Sequence, residues 1–269
     1  MIAMKRTGVL AVIAAGVGFA SSQSLSSQCQ SGLTQLVLSS DTTCLNAQAL
    51  VAVVTADSST SLVNPINNWL TGLCAQPACS NSTLATVVTA IVNNCQSDIS
   101  SLGLGNVSAS ELTSVVQQAY PTVRKVLCLS NSGNNNTLCA TETLTNIQNS
   151  VGTLSKSGVE SLVNQLSNGQ IPNVPSSALC TDCNKESFNI IKADFPDLVS
   201  SQVVSEVSGE CGATFVDGAD PSSVTQSANT GTATPQSAAS NDGVSSLGAL
   251  GGILVSSIIT VATGFAFIA

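Results

Sequence analysis

The chain has 269 residues, with fifteen Asp and Glu against seven Lys and Arg, a net charge of −8 at pH 7 and no histidine. So acidic a chain repels nucleic acid and does not bind lipid through basic patches, and nucleic acid is not expected as a partner. The absence of histidine removes the commonest general base at neutral pH and the commonest metal ligand. No metal, no other cofactor and no enzyme activity are therefore predicted.

The amino terminus has the layout of a secretory signal peptide. Lys5 and Arg6 precede an apolar run over 9–20, and small residues follow at the end of that run, where signal peptidase cuts. Residues 1–22 are predicted to be removed, and the mature protein is expected outside the cell.

Ten cysteines lie between this segment and the carboxyl-terminal tail. An even number of cysteines in an oxidising compartment predicts five disulfides. The disulfide cysteines are Cys29, Cys44, Cys74, Cys79, Cys95, Cys128, Cys139, Cys180, Cys183 and Cys211.

The apolar residues of the region between the signals recur at helical spacing, so the predicted fold is all-α, a disulfide-stapled bundle of eight to ten short helices. Capping boxes pair Ser108 with Glu111 and Ser157 with Glu160. The expected helix ends are at Pro121, Asn168-Gly169 and Pro196. The helical faces are Leu62, Val63, Ile66, Trp69, Leu70 and Leu73; Leu84, Val87, Val88, Ile91, Val92 and Cys95; Leu112, Val115, Val116 and Ala119; Leu144, Ile147 and Val151; Val159, Leu162, Val163 and Leu166; and Phe188, Ile191 and Phe195.

The cysteine-rich helical domain is assigned to 23–212, as one unit or as two similar halves, 23–120 and 121–212. The first five and the last five cysteines follow a similar order, in which a close pair comes before the fifth. Chance similarity of the two sets is the alternative. Because five is odd, full pairing requires at least one disulfide between the halves.

Three sequons, beginning at Asn81, Asn106 and Asn135, are candidate N-glycosylation sites. From 213 to 241 the chain is rich in Ser, Thr and Ala and poor in large apolar residues, which predicts a disordered stalk suited to O-linked sugars.

Residues 242–269 are predicted to be the propeptide of a glycosylphosphatidylinositol (GPI) anchor signal. Small polar residues precede a spacer and then an uncharged apolar tail, which is the order that such a signal requires. Asn241 is the first choice for the attached residue, with Ser240 and Gly243 as alternatives. An ordinary transmembrane helix is the competing interpretation of the tail.

Three groups of residues could in principle carry chemistry. Cys180-Thr181-Asp182-Cys183 has the spacing of a redox pair, but its helical surroundings favour structural disulfides. The loop from Asp217 to Asp220 has too few ligands for calcium and is interpreted as a turn. The carboxylate pairs, interpreted as solvated helix faces, are Asp182 with Glu186 and Asp194 with Asp197.

The succession of signal peptide, cysteine-rich helical domain, stalk and anchor signal resembles that of fungal GPI-anchored cysteine-rich surface and wall proteins. Locally, Leu73-Cys74-Ala75-Gln76-Pro77-Ala78-Cys79 and the helix that follows to Cys95 resemble the middle of elicitins, small helical sterol carriers. The cysteine order from Cys29 to Cys128 is also similar to that of elicitins. The elicitin resemblance implies disulfides between Cys29 and Cys95 and between Cys44 and Cys79.

The predicted function is therefore that of a non-enzymatic, GPI-anchored protein of the outer face of the plasma membrane and the cell wall, with a structural or interaction role. Its expected partners are the membrane, through the anchor, and a cell-wall glycan or surface protein. The alternative is an elicitin-like carrier whose helices enclose a sterol or another apolar ligand.

Overall fold

The computed structural model describes residues 26–100, 108–167 and 174–231, with the side chains of 163, 166 and 167 excepted. This part of the chain is mainly helical, which confirms the predicted disulfide-stapled helical fold. Its α-helices are α1 Ser27–Leu38, α2 Leu50–Val54, α3 Val63–Ala75, α4 Asn81–Ile99, α5 Ala109–Leu127, α6 Cys139–Val151, α7 Lys156–Ser167, α8 Ser176–Leu179, α9 Asp182–Asp194 and α10 Ser201–Cys211.

Three short strands, which the sequence did not predict, form an antiparallel sheet in the order β2-β1-β3. Ser130 of the central strand pairs with Leu138 on one side and with Thr225 on the other. Runs of two or three residues are too short to show the alternation by which a strand is recognised in a sequence. The strands are β1 Leu129–Asn131, β2 Thr137–Leu138 and β3 Val224–Gln226.

Helix α4 lies between α1 and α5 in the amino-terminal part of the fold. Its helical geometry is interrupted at Cys95, where φ is −113° and ψ is 19°. One turn later, the Asp98 carboxylate accepts hydrogen bonds from the backbone N–H and the hydroxyl of Ser26, at 2.9 and 2.7 Å. These hydrogen bonds from Ser26 lower the pKa of Asp98, and they hold the start of α1 against the end of α4.

The central core is built around α3 and takes residues from both proposed halves of the chain. The proposed boundary at 120/121 falls inside α5, which runs without a break from Ala109 to Leu127. The halves 23–120 and 121–212 are therefore not separate folding units, because they share one core. The central core cluster contains Leu70, Leu73, Cys74, Val126, Leu127, Cys128, Leu138, Ala140 and Ile191.

Of the two predicted capping boxes, one forms. The Ser108 hydroxyl accepts the backbone N–H of Glu111, whose carboxylate accepts the Ser108 N–H, as predicted. The box of Ser157 with Glu160 was wrong, because α7 begins earlier and Ser155 accepts the N–H of Gly158 instead. Ser155 and Ser157 lie two positions apart, and either serine could cap the start of this helix. The sequence alone therefore did not distinguish between them.

Pro121 does not end a helix, and that prediction was wrong. The proline lies within α5 at an exposed position, and it removes one hydrogen bond of the helix. The residues that follow it, Val126 and Leu127, are buried in the central core, and their burial offsets the lost hydrogen bond. The expected end before Pro196 is confirmed, since α9 ends at Asp194, whereas Asn168-Gly169 lies outside the described residues.

The predicted start of a disordered stalk at 213 was also wrong. A 3-10 turn at Ala213–Phe215 buries the Phe215 ring beside Phe188, with ring centroids 6.3 Å apart. Farther on, β3 pairs with β1. A segment poor in large apolar residues can still be ordered when another strand accepts its backbone hydrogen bonds. The last part of the predicted stalk, 232–241, lies outside the described residues.

Candidate functional site

All ten cysteines form disulfides, as the sequence predicted. The first two pairs are those that the elicitin resemblance implied. Cys74 with Cys128 crosses the boundary between the proposed halves, as the odd number in each set required. The pairs are Cys29 with Cys95, Cys44 with Cys79, Cys74 with Cys128, Cys139 with Cys183 and Cys180 with Cys211.

The two cysteines with redox-pair spacing are not bonded to each other. Cys180, at the end of α8, pairs with Cys211 at the end of α10, while Cys183 in α9 pairs with Cys139 in α6. Cys183 is fully buried. One of these bonds joins α6 to α9, and the other joins α8 to α10. The structural interpretation of this motif is therefore confirmed.

The carboxyl end of α3 is capped by groups far away in the chain. The last carbonyls of a helix have no partners inside it. Here the Arg124 guanidinium donates to the carbonyls of Leu73 and Gln76, and Asn229 donates to Cys74 through its N–H and to Ala75 through its side-chain amide, both at 2.8 Å. Arg124 also donates to the Asn229 carbonyl at 3.4 Å, so the two caps support each other.

Asn229 belongs to a segment that we call the strap, residues 213–231, which crosses the domain after α10. Ser227 donates to the Cys128 carbonyl through its N–H at 2.8 Å and through its hydroxyl at 2.6 Å. The Gln226 side chain donates to the Lys125 carbonyl at 3.0 Å. The strap therefore binds both sides of the Cys74–Cys128 disulfide, and the described chain ends at Gly231 beside the carboxyl end of α3.

One carboxylate of each predicted pair makes contacts that hold the fold. Asp182 accepts the Ser223 hydroxyl of the strap at 2.6 Å. Asp194 accepts the Thr122 hydroxyl at 2.7 Å and the Lys125 ammonium group at 3.1 Å. These contacts join α9 to the strap and to α5.

The side chains of Glu186 and Asn189 lie next to the turn of the strap, where Asn189 donates to the Ala219 carbonyl at 3.2 Å. The side-chain oxygens Oε2 of Glu186 and Oδ1 of Asn189 are buried without a hydrogen-bond partner. Burial, with the nearby negative charge of Asp220, raises the pKa of Glu186. The neighbouring Asp217 instead has its pKa lowered by a hydrogen bond from Lys185, 2.8 Å away.

The loop from Asp217 to Asp220 is a turn, as interpreted from the sequence. The Asp217 carboxylate accepts the Ala219 N–H at 2.8 Å, and Gly218 has a φ of +80°, which glycine adopts without strain. Within the described residues, no group of three or more Cys, Asp or Glu side chains is placed to hold a metal ion.

Two of the predicted glycosylation sites can be located. Asn81 is exposed at the first position of α4. Asn135 is exposed in the turn between β1 and β2, with a φ of +52°. Asn106 and the anchor residue Asn241 lie outside the described residues, as do the signal peptide 1–22 and the tail 242–269.

Over the ranges that the structure covers, no helix is both long and apolar enough to cross a bilayer. Comparison of the chain with protein-family models, curated proteins and solved structures finds no match. Sequence reasoning missed Arg124 and Asn229. A basic residue within an apolar helical face was the available signal for Arg124, and Asn229 carried none.

Proposed function

We propose that this chain is a non-enzymatic extracellular protein, displayed by a GPI anchor on the outer face of the plasma membrane and in the cell wall. Its role there is structural or that of an interaction module. The observation that carries the proposal is the pairing of all ten cysteines in one mainly helical fold, because disulfides form and persist in oxidising compartments. The use of Asp182 and Asp194 in contacts that hold the fold supports the non-enzymatic assignment.

The anchor is tested on intact cells. Phosphatidylinositol-specific phospholipase C should release the mature protein, provided that the lipid is susceptible, and mass spectrometry should find the modified carboxyl end at Asn241 or a neighbour. As a control, a chain that ends at Asn241 should be secreted, folded and insensitive to the enzyme. Recovery of peptides from 253–269 in the mature surface form would contradict the anchor.

A carrier of sterols or acyl chains is the second candidate. It is favoured by one observation, the agreement of Cys29–Cys95 and Cys44–Cys79 with the pairing that the elicitin resemblance implies. A carrier should take up a fluorescent sterol saturably, at about one per domain, with a rise in melting temperature. A display module should take up none, and in it Val88→Ala, at a buried position of α4, should lower stability alone.

A further inference from the structure

The last part of the strap is held mainly by hydrogen bonds. β3 pairs with β1, and the residues after β3 donate to the carbonyls of Cys128, Cys74 and Ala75. No strap side chain between 216 and 231 is buried. We call β1, the Cys128 carbonyl and the carboxyl end of α3 the seat of the strap. A strand edge and an open helix end offer backbone groups that bind an extended segment in register, whichever chain that segment belongs to.

The connection that leads from α10 to β3 is held less favourably. Within it, the turn from Asp217 to Asp220 lies beside Glu186 and Asn189, each of which has a buried side-chain oxygen without a hydrogen-bond partner. The negative charge of Asp220 also acts on Glu186. Buried polar atoms without partners and like charges close together both cost free energy. Closure of this turn on its own domain therefore carries a cost that the hydrogen bonds of β3 and Asn229 do not.

From these two observations we infer that the strap is exchanged between two copies of the chain, so that residues 223–229 of each copy occupy the seat of the other. The connection 218–222 opens, and the closed turn disappears together with its cost. A reciprocal exchange reproduces the hydrogen bonds between strap and seat, so little is lost in return. Short hinge segments that close unfavourably promote exchange of this kind. The seat is therefore a self-association site whose partner is a second copy of this chain, and the exchange needs no lipid anchor.

The opening point is set by the contacts that hold the start of the strap. Phe215 is buried, and Asp217 accepts the Lys185 ammonium group at 2.8 Å, and both contacts remain in an exchanged pair. Gly218 follows directly with a φ of +80°, a conformation that glycine adopts and leaves without steric cost. The extended segment 218–222 spans at most about 18 Å. The two domains of an exchanged pair must therefore lie side by side, with each strap crossing directly to its neighbour.

The experiment uses the soluble chain that ends at Asn241, prepared with ordinary and with heavy nitrogen. Both preparations carry a photoreactive residue in place of Gln226, whose side chain reaches the Lys125 carbonyl of α5. Equal amounts are mixed, concentrated and held just below the melting temperature, and monomer and dimer are separated by size exclusion and irradiated. In the dimer, about half of the crosslinks from the strap to the end of α5 should join a heavy to a light copy. No dimer, or a dimer whose strap crosslinks stay within one copy, would overturn the exchange.

The length of the connection gives a second test with matched variants. Deletion of Gly218 and Ala219 removes the closed turn and should shift the chain from monomer to dimer. A flexible Gly-Ser insert between the same two residues lets the strap reach its own seat without the tight turn and should keep the chain monomeric. In both variants, hydrogen exchange should show protected amides at Ser227 and Asn229. A deletion variant that stays monomeric, with the strap amides protected or not, would overturn the exchange.

The cost of the closed turn is tested by charge. Asp220→Asn removes the negative charge that acts on Glu186 and should lower the share of heavy–light crosslinks at neutral pH. The control is Asp197→Asn at an exposed position before α10, which should leave that share unchanged. An equal share in the unmodified chain and in Asp220→Asn would overturn the turn as the driving force for exchange.

Discussion

Arg124 is the most consequential single residue that the structure reveals. Its side chain is 5% exposed, and its guanidinium donates to backbone carbonyls of α3 and of the strap. The guanidinium carries five N–H donors on three nitrogens and reaches carbonyls at separate places at once, whereas the three donors of a lysine ammonium group all lie on one nitrogen. The residue therefore binds three parts of the chain together through one planar group.

We expect Arg124→Met to lower the free energy of unfolding by about 3–4 kcal/mol, because buried carbonyls lose charged donors. Arg124→Lys should recover part of the loss. The control is the neighbouring Lys125→Ala, which removes an exposed ion pair with Asp194 and should cost less than about 1 kcal/mol. Urea unfolding of the three variants measures the difference, and equal losses at the two positions would contradict this role.

Glu186 is predicted to make stability depend on pH. Its pKa in the folded state lies above the ordinary 4.5, chiefly because of burial and also because of Asp220. A raised folded pKa stabilises the protein at low pH, below the unfolded pKa, and this contribution is lost as the pH rises through the folded value. Protonation of this carboxyl is thus more favourable in the folded protein than in the unfolded chain.

Glu186→Gln, which stays neutral, should leave the melting temperature unchanged near pH 4 and raise it near pH 7. The control is Glu210→Gln at an exposed position of α10, which should change little at either pH. Thermal unfolding followed by circular dichroism between pH 4 and 7.5 measures both variants. A stability difference between Glu186→Gln and the unmodified protein that is the same at all pH values would contradict the assignment.

At the scale of elements, α1 packs closely against α4. A Cβ at Gly32 would lie 2.4 Å from Cβ and Cγ of Asn94, which is too close for any adjustment of the side chain alone. The two helices are joined nearby by the Cys29–Cys95 disulfide, and Ser26 binds Asp98. Glycine is therefore needed at this position for distance, although it lies in a helix.

Gly32→Ala should lower the free energy of unfolding by about 1–3 kcal/mol through overpacking. Gly209→Ala should do the opposite, because Gly209 lies in α10 with no atom within 4 Å of a Cβ, and alanine favours a helix over glycine by about 0.5–1 kcal/mol. Urea unfolding of the pair tests the prediction. The same sign of change at both positions would contradict it.

At the scale of the whole molecule, the Cys74–Cys128 disulfide joins α3 to α5 and supports the strap through the carbonyls of both cysteines. It closes a loop of 54 residues, for which the chain-entropy estimate is about 4 kcal/mol. Replacement of both cysteines by Ala should cost this amount and release the strap, which hydrogen exchange at Ser227 and Asn229 would report.

The matched control replaces Cys180 and Cys211 by Ala. That pair closes a loop of 31 residues and joins α8 to α10, away from the carboxyl end of α3. Its loss should also lower stability but leave the strap amides protected. Equal deprotection of the strap in both double variants would show that the strap depends on global stability and not on this disulfide.

Much of this fold follows from local patterns that the chain carries in itself. The faces of α3 and α4 repeat at 3.6 residues, and the box at Ser108 with Glu111 depends on neighbours three residues apart. The even number of cysteines and the secretory signal predicted full pairing. Such features could be predicted because the residues that determine them are close in sequence or are simply counted.

What only the tertiary structure decided depends on contacts between distant residues. Pro121 remains in a helix because Val126 and Leu127 after it are buried in the shared core. Residues 213–231 are ordered because β1 and the open end of α3 accept their hydrogen bonds, a property of those partners and not of the segment's own composition. The sequence by itself determined the helical periodicity and the number of disulfides. The three-dimensional fold decided which cysteines meet and which distant groups, Arg124 and Asn229, cap the carboxyl end of α3.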